Sequence, residues 1–202
     1  MKTCNRLFLL TAAIMLVAAG AFAANIVTNG DFETGDLAGW EAFGLSGSST
    51  ATIEMGNGPS APGQYNAFLN NQAQAIGLGI KQVGAVGSAV ENEEVQWSFD
   101  LLLDQADLGG VFFMEIFAEQ EGVGIVGGSG LQGPFWAWEW TNYSGSFMAP
   151  TGTDFLTIQF VATTGATVGS NCIAHVDNVL LEQPNVVASE TTSLDQVKAL
   201  FR

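Results

Sequence analysis

Apolar and polar residues alternate along several short runs of this chain, with the period of a strand rather than of a helix. At 95–103, VQWSFDLLL sets Val95, Trp97, Phe99 and Leu101 against Gln96, Ser98 and Asp100. QYNAFLN (64–70), VFFMEIFAE (111–119), DFLTIQFVA (154–162) and CIAHVDNVLLE (172–182) read as further strands. Between them stand turn-forming stretches: GNGPSAPG, DQADLGG, EGVGIVGGSGLQGP, APTGT and TTGATVGSN. Many short strands with no helix between them predict an all-β fold, an antiparallel sandwich or barrel, and exclude βαβ units.

Both ends depart from that pattern. Residues 1–23 carry Lys2 and Arg6, then an apolar run, then Ala21-Phe22-Ala23, which is the anatomy of a secretory signal peptide. Residues 24–185 hold the predicted β domain, a length that suits one core. Residues 186–202 read as a polar linker and then SLDQVKALFR, where Ser193 and Gln196 have capping-box spacing ahead of Val197, Leu200 and Phe201. A helix so short is marginal in water, so it either docks on a protein partner or frays.

Charge narrows the partners. With Lys2 and Arg6 removed, only Lys81, Lys198 and Arg202 face 20 acids. Such a surface repels phosphate backbones and anionic bilayers, which excludes nucleic acid and membrane as partners. Cys172 alone survives cleavage, so no internal disulfide forms, and it reads as a small buried hydrophobe.

Catalytic signatures are missing. His175 is the single histidine, which rules out a histidine-based metal cluster, and no G-x-S-x-G elbow occurs. Gly122 to Gly127 matches G-x-G-x-x-G, but without a βαβ context it reads as hairpin and loop glycine. No enzyme is predicted. The string GPFWAWEWTNYSGSF offers another chemistry: Trp136, Trp138 and Trp140 recur every second residue and in a strand would share one face. Exposed indoles stack on sugar rings, whereas an inward face would bury them. The inward reading is expected for Trp140, and Trp136 lies nearer a loop.

The acids at the front raise a further question. NIVTNGDFETGDLAGW (25–40) crowds Asp31, Glu33 and Asp36 together, the mark of either a solvated turn or a cation site. With HVDNVLLE (175–182), this stretch closely resembles the first and last strands of carbohydrate-binding modules of the CBM4/9/22 type. Those are jelly-roll sandwiches of the galactose-binding-like class. GQYNAFL, GIKQVGAV and VQWSFDLLL agree in outline, and the resemblance covers about 25–182.

It implies a structural Ca2+ shared by the two ends, with Glu33 and Asp177 as side-chain ligands and the backbone carbonyls of Asp31 and Tyr65 as further candidates. Calcium's hard-oxygen shell suits that donor set. Pro62 stands where some members place another carboxylate, and Gly79 and Gly124 stand where some glucan and xylan binders have aromatics. Asp36 is left to the turn before Trp40. The implied function is secreted or cell-surface, non-catalytic binding of a polysaccharide, with Gln132, Trp136, Trp138 and Asn142 as contact candidates. The alternative is a structural or adhesive surface protein that uses the sandwich as a scaffold.

Overall fold

The computed structural model describes residues 25–59 and 63–184. The expected signal peptide and the expected tail helix fall on residues outside the described ones. Eleven strands follow one another: β1 (Glu41–Phe43), β2 (Ser49–Met55), β3 (Tyr65–Asn71), β4 (Gly77–Val83), β5 (Glu94–Asp107), β6 (Val111–Gln120), β7 (Gly124–Gly128), β8 (Gln132–Phe135), β9 (Thr141–Met148), β10 (Phe155–Thr163) and β11 (Asn171–Glu182). All pairings are antiparallel. The first sheet runs β1-β4-β10-β6-β7, with β8 also against β6, and the second runs β2-β3-β11-β5-β9. The fold is the expected antiparallel sandwich.

Alternation decides which side of each strand faces the other sheet. On β5, Val95, Trp97, Phe99, Leu101 and Leu103 point inward; on β6, Phe112, Met114, Ile116 and Ala118; on β10, Leu156, Ile158, Phe160 and Ala162. Phe99 is the hub, with its ring centroid 4.9 Å from Phe160, 5.3 Å from Phe135 and 5.7 Å from Tyr143. A side chain of this size is worth about 1.5–3 kcal/mol when fully buried. Cys172 is wholly buried, and desolvation pushes its thiol up to about 12, which removes it from thiolate chemistry.

β1, β2, β4 and β9 lie outside the alternating runs, and two further segments differ from the alternation-based reading. The glycine-rich stretch taken as turn contains β7 and β8, strands too short and too poor in side chains to announce themselves. Gly128 and Gly133 have φ of 148° and 113°, and a Cβ at Gly128 would sit 2.0 Å from the Ile116 carbonyl oxygen. Residues 136–140 are not a strand. They carry the chain from β8 in the first sheet to β9 in the second, so the three tryptophans share no face.

The two ends of the domain meet. Asn25 forms a bridge with Glu182, and its side-chain oxygen accepts the Leu181 N–H at 2.9 Å while its amide donates to the Val179 carbonyl at 3.1 Å. Ile26 N–H donates to Leu181 O, and Val179 N–H to Gly30 O. The opening segment thus lies along the last strand and brings its acids beside Asp177.

Candidate functional site

The acids of the opening segment are sorted by their partners. Asp36 Oδ1 accepts the Thr34 hydroxyl at 2.7 Å and the Ala38 N–H at 3.0 Å. These bonds hold its carboxyl below the usual range and commit it to the turn ahead of Trp40. Glu33 Oε1 instead accepts the backbone N–H groups of Gln64 (2.7 Å) and Tyr65 (3.0 Å), tying the segment to the start of β3. Asp31 is exposed, with Oδ1 toward the Glu33 N–H at 3.4 Å.

Asp177 differs from all three. It is 2 % exposed, and its Oδ1 accepts the N–H of Asn178 at 2.7 Å. Burial raises its carboxyl to about 7; the Asn178 bond opposes this, and the charges of Asp100, Glu33 and Asp31 reinforce it. One buried acid therefore feels three others, while Lys81, the sole lysine or arginine among the described residues, pairs with Glu41 at 3.3 Å in the other sheet. Such a donor set suits a hard cation. Among the described residues, no three His, Cys, Asp or Glu side chains are grouped to hold a metal ion. A cation here would therefore take main-chain carbonyls and water beside its carboxylates.

The aromatic candidates form a second locality. Trp136 and Trp138 are 50 % and 60 % exposed, with ring centroids 6.4 Å apart and planes inclined by 39°. Ala137 between them is buried and its carbonyl accepts the Leu103 N–H, while the Trp136 carbonyl accepts the Tyr143 hydroxyl at 2.8 Å. Two large apolar rings are thus held in water by an anchored backbone. Trp140 lies neither in the core nor with this pair. Its indole sits edge-on to His175 at 6.2 Å and donates to the Asn57 carbonyl, covering the outer side of the second sheet. Its polar N–H finds a partner there that the apolar interior lacks.

Gln132 and Asn142 do not join the tryptophans through side-chain bonds. Gln132, on β8, donates to the carbonyls of Ser129 and Gly130. Asn142, on β9, donates to Asp100 Oδ1 at 2.8 Å, close to the acid site.

Alternation also left a surface unassigned, the outer face of the first sheet. Register aligns Glu41, Lys81, Gln159 and Glu115 across β1, β4, β10 and β6. Beside that polar row lie Phe43, Val161 and Phe113, all half-buried. A Cβ at Gly79 would lie 2.4 Å from Phe43 Cζ, so the Phe43 ring fills the space a side chain at Gly79 would take. The signal was present in VFFMEIFAE, whose outward residues include Phe113 and Phe117, but nothing in the sequence placed them beside β1.

No protein-family model matches this sequence, and no curated protein matches it. Solved structures do match. The enzymatically active domain of bacteriophage CBA120 tailspike protein 4 is similar at 16% identity and TM-score 0.63, over 79% of this chain and 21% of that one. The chain thus spans about a fifth of that solved chain. TmCBM61 in complex with β-1,4-galactotriose matches at 14% identity and TM-score 0.53, over 79% of this chain and 99% of that module. The CBM22-1 xylan-binding domain from Paenibacillus barcinonensis Xyn10C matches at 12% identity and TM-score 0.52, over 83% and 99%. At these identities the shared property is the fold: this chain has the β-sandwich of carbohydrate-binding modules.

Proposed function

We propose that this chain is an exported, non-catalytic carbohydrate-binding module that holds a polysaccharide by aromatic stacking and is stapled by a structural Ca2+. The observation that carries the reading is the exposed, anchored Trp136–Trp138 pair, because soluble proteins seldom leave two adjacent indoles in water without a ligand to cover them. The half-buried Phe43, Phe113 and Phe117 on the first sheet add apolar surface, with Lys81 and Gln159 as donors and Glu41 and Glu115 as acceptors for hydroxyls. The neighbours' galactotriose and xylan support a glycan as the ligand class.

Glu41 and Glu115 do not have the spacing of a hydrolase pair. The strands of Glu41 and Glu115 are three intervals apart, about 14 Å between backbones, whereas glycosidase carboxyls lie about 5–9.5 Å apart. In the calcium reading, Glu33 and Asp177 supply the charged ligands, with the carbonyls of Asp31 and Tyr65 beside them. The ion offsets their mutual repulsion and closes a chain loop whose entropy cost is about 4 kcal/mol.

Affinity electrophoresis against soluble glycans, including galactan, xylan and mixed-linkage glucan, tests the binding. Retardation by at least one neutral polysaccharide is expected, and migration unchanged by every glycan would defeat the proposal. Calcium is tested by thermal melting. At about 100 Kd of Ca2+ the folded state gains about 2.7 kcal/mol, a shift of several degrees. Glu33→Ala or Asp177→Ala should erase the difference between calcium and chelator.

A further inference from the structure

The cross-strand partner of Asp177 is itself an acid. In the β11–β5 register Asp177 stands opposite Asp100, an arrangement of like charges that destabilises a sheet when nothing lies between them. Asp100 is held in place by two side-chain amides: Asn142 Nδ2 donates to Oδ1 and Asn178 Nδ2 to Oδ2, both at 2.8 Å. Neither amide brings positive charge, and Lys81 is engaged with Glu41 in the other sheet.

Asn178 joins the two acids. It sits where the register shifts between Asp177 and Leu180, at a φ of 49° that asparagine tolerates better than most side chains. Its backbone N–H holds Asp177 Oδ1, and its side chain holds Asp100. Asp177 is thereby fixed on the side of the sheet reached by Asp31 and Glu33.

We infer that Asp100 is a positioning residue for the cation site: it holds Asp177 through Asn178, and its charge raises cation affinity without direct ligation. The inference rests on the calcium reading above. An outer acid of this kind has a signature that a merely structural side chain lacks. It strains the metal-free protein by repulsion and strengthens the metal-bound one, so its neutral isostere moves the two states in opposite directions. Loss of such a supporting group weakens metal affinity about tenfold or more.

The test is calorimetric titration of Ca2+ into the chelator-stripped full chain, paired with thermal melts in chelator and in calcium. Asp100→Asn keeps the side-chain shape and removes the charge. It should melt above the wild type in chelator while its Ca2+ Kd rises about tenfold. Asn178→Gly, which keeps the left-handed backbone and deletes the link, should also weaken Ca2+ binding. Glu121→Gln, an exposed acid in the turn after β6, should leave the Kd unchanged. An Asp100→Asn protein that binds Ca2+ as the wild type does, or melts lower in chelator, overturns the inference alone, as does an equal effect from Glu121→Gln. A wild type that takes up no Ca2+ overturns the calcium reading together with it.

Discussion

At the scale of single residues, Asp177 links structure to solution behaviour. Its carboxyl titrates near 7 in the metal-free fold against 3.8 in the ordinary case, so the folded chain keeps a proton that the unfolded chain has already lost. Stability from this group is complete below about pH 4 and is lost as pH rises toward 7. In chelator, the melting temperature should therefore fall between about pH 5 and 8; calcium, which needs the ionised carboxylate, should remove the decline. A profile in chelator that rises over this range would contradict the burial of Asp177. Gly145 makes a second prediction. It faces Trp97 across β5 and β9, and an added Cβ would lie 2.5 Å from Trp97 Cζ2. Gly145→Ala should cost about 1–3 kcal/mol of overpacking, read as a lower urea midpoint at unchanged slope.

At the scale of elements, the strands legible in the sequence are those with one fully apolar face. The alternation at 95–103 is the centre of β5, and the runs at 64–70, 111–119, 154–162 and 172–182 fall on β3, β6, β10 and β11 to within a residue or two. β7 and β8 were illegible because glycine-rich strands pair through their backbones and bury almost no side chain of their own. The tryptophan spacing misled for a related reason. Period two marks a strand only where neighbouring chain supplies a ladder, and residues 136–140 cross between sheets instead. The acids were partly legible: the turn role of Asp36 follows from local spacing, since Thr34 and Ala38 are its partners. The link from Asp100 through Asn178 to Asp177 depends on β-register and on one left-handed residue, and neither leaves a mark in a single sequence.

At the scale of the whole molecule, the first and last segments lie side by side, and the two proposed functions are kept apart. The acid site is set where the opening segment meets β3 and β11, and the exposed indoles stand on the crossing from β8 to β9. Metal removal should therefore lower stability first, and glycan affinity only as far as the fold loosens. The indoles make the complementary case. Trp136→Ala and Trp138→Ala should each weaken glycan binding about tenfold, or about 1.4 kcal/mol, while stability changes by no more than about 0.5 kcal/mol. The central claim is that this sandwich binds polysaccharide through that pair. Affinity electrophoresis of the wild type beside the Trp136→Ala/Trp138→Ala double variant, in a gel containing a glycan that retards the wild type, tests it most directly. Restored free migration of the double variant at an unchanged melting temperature is the predicted result; equal retardation of both proteins would contradict it.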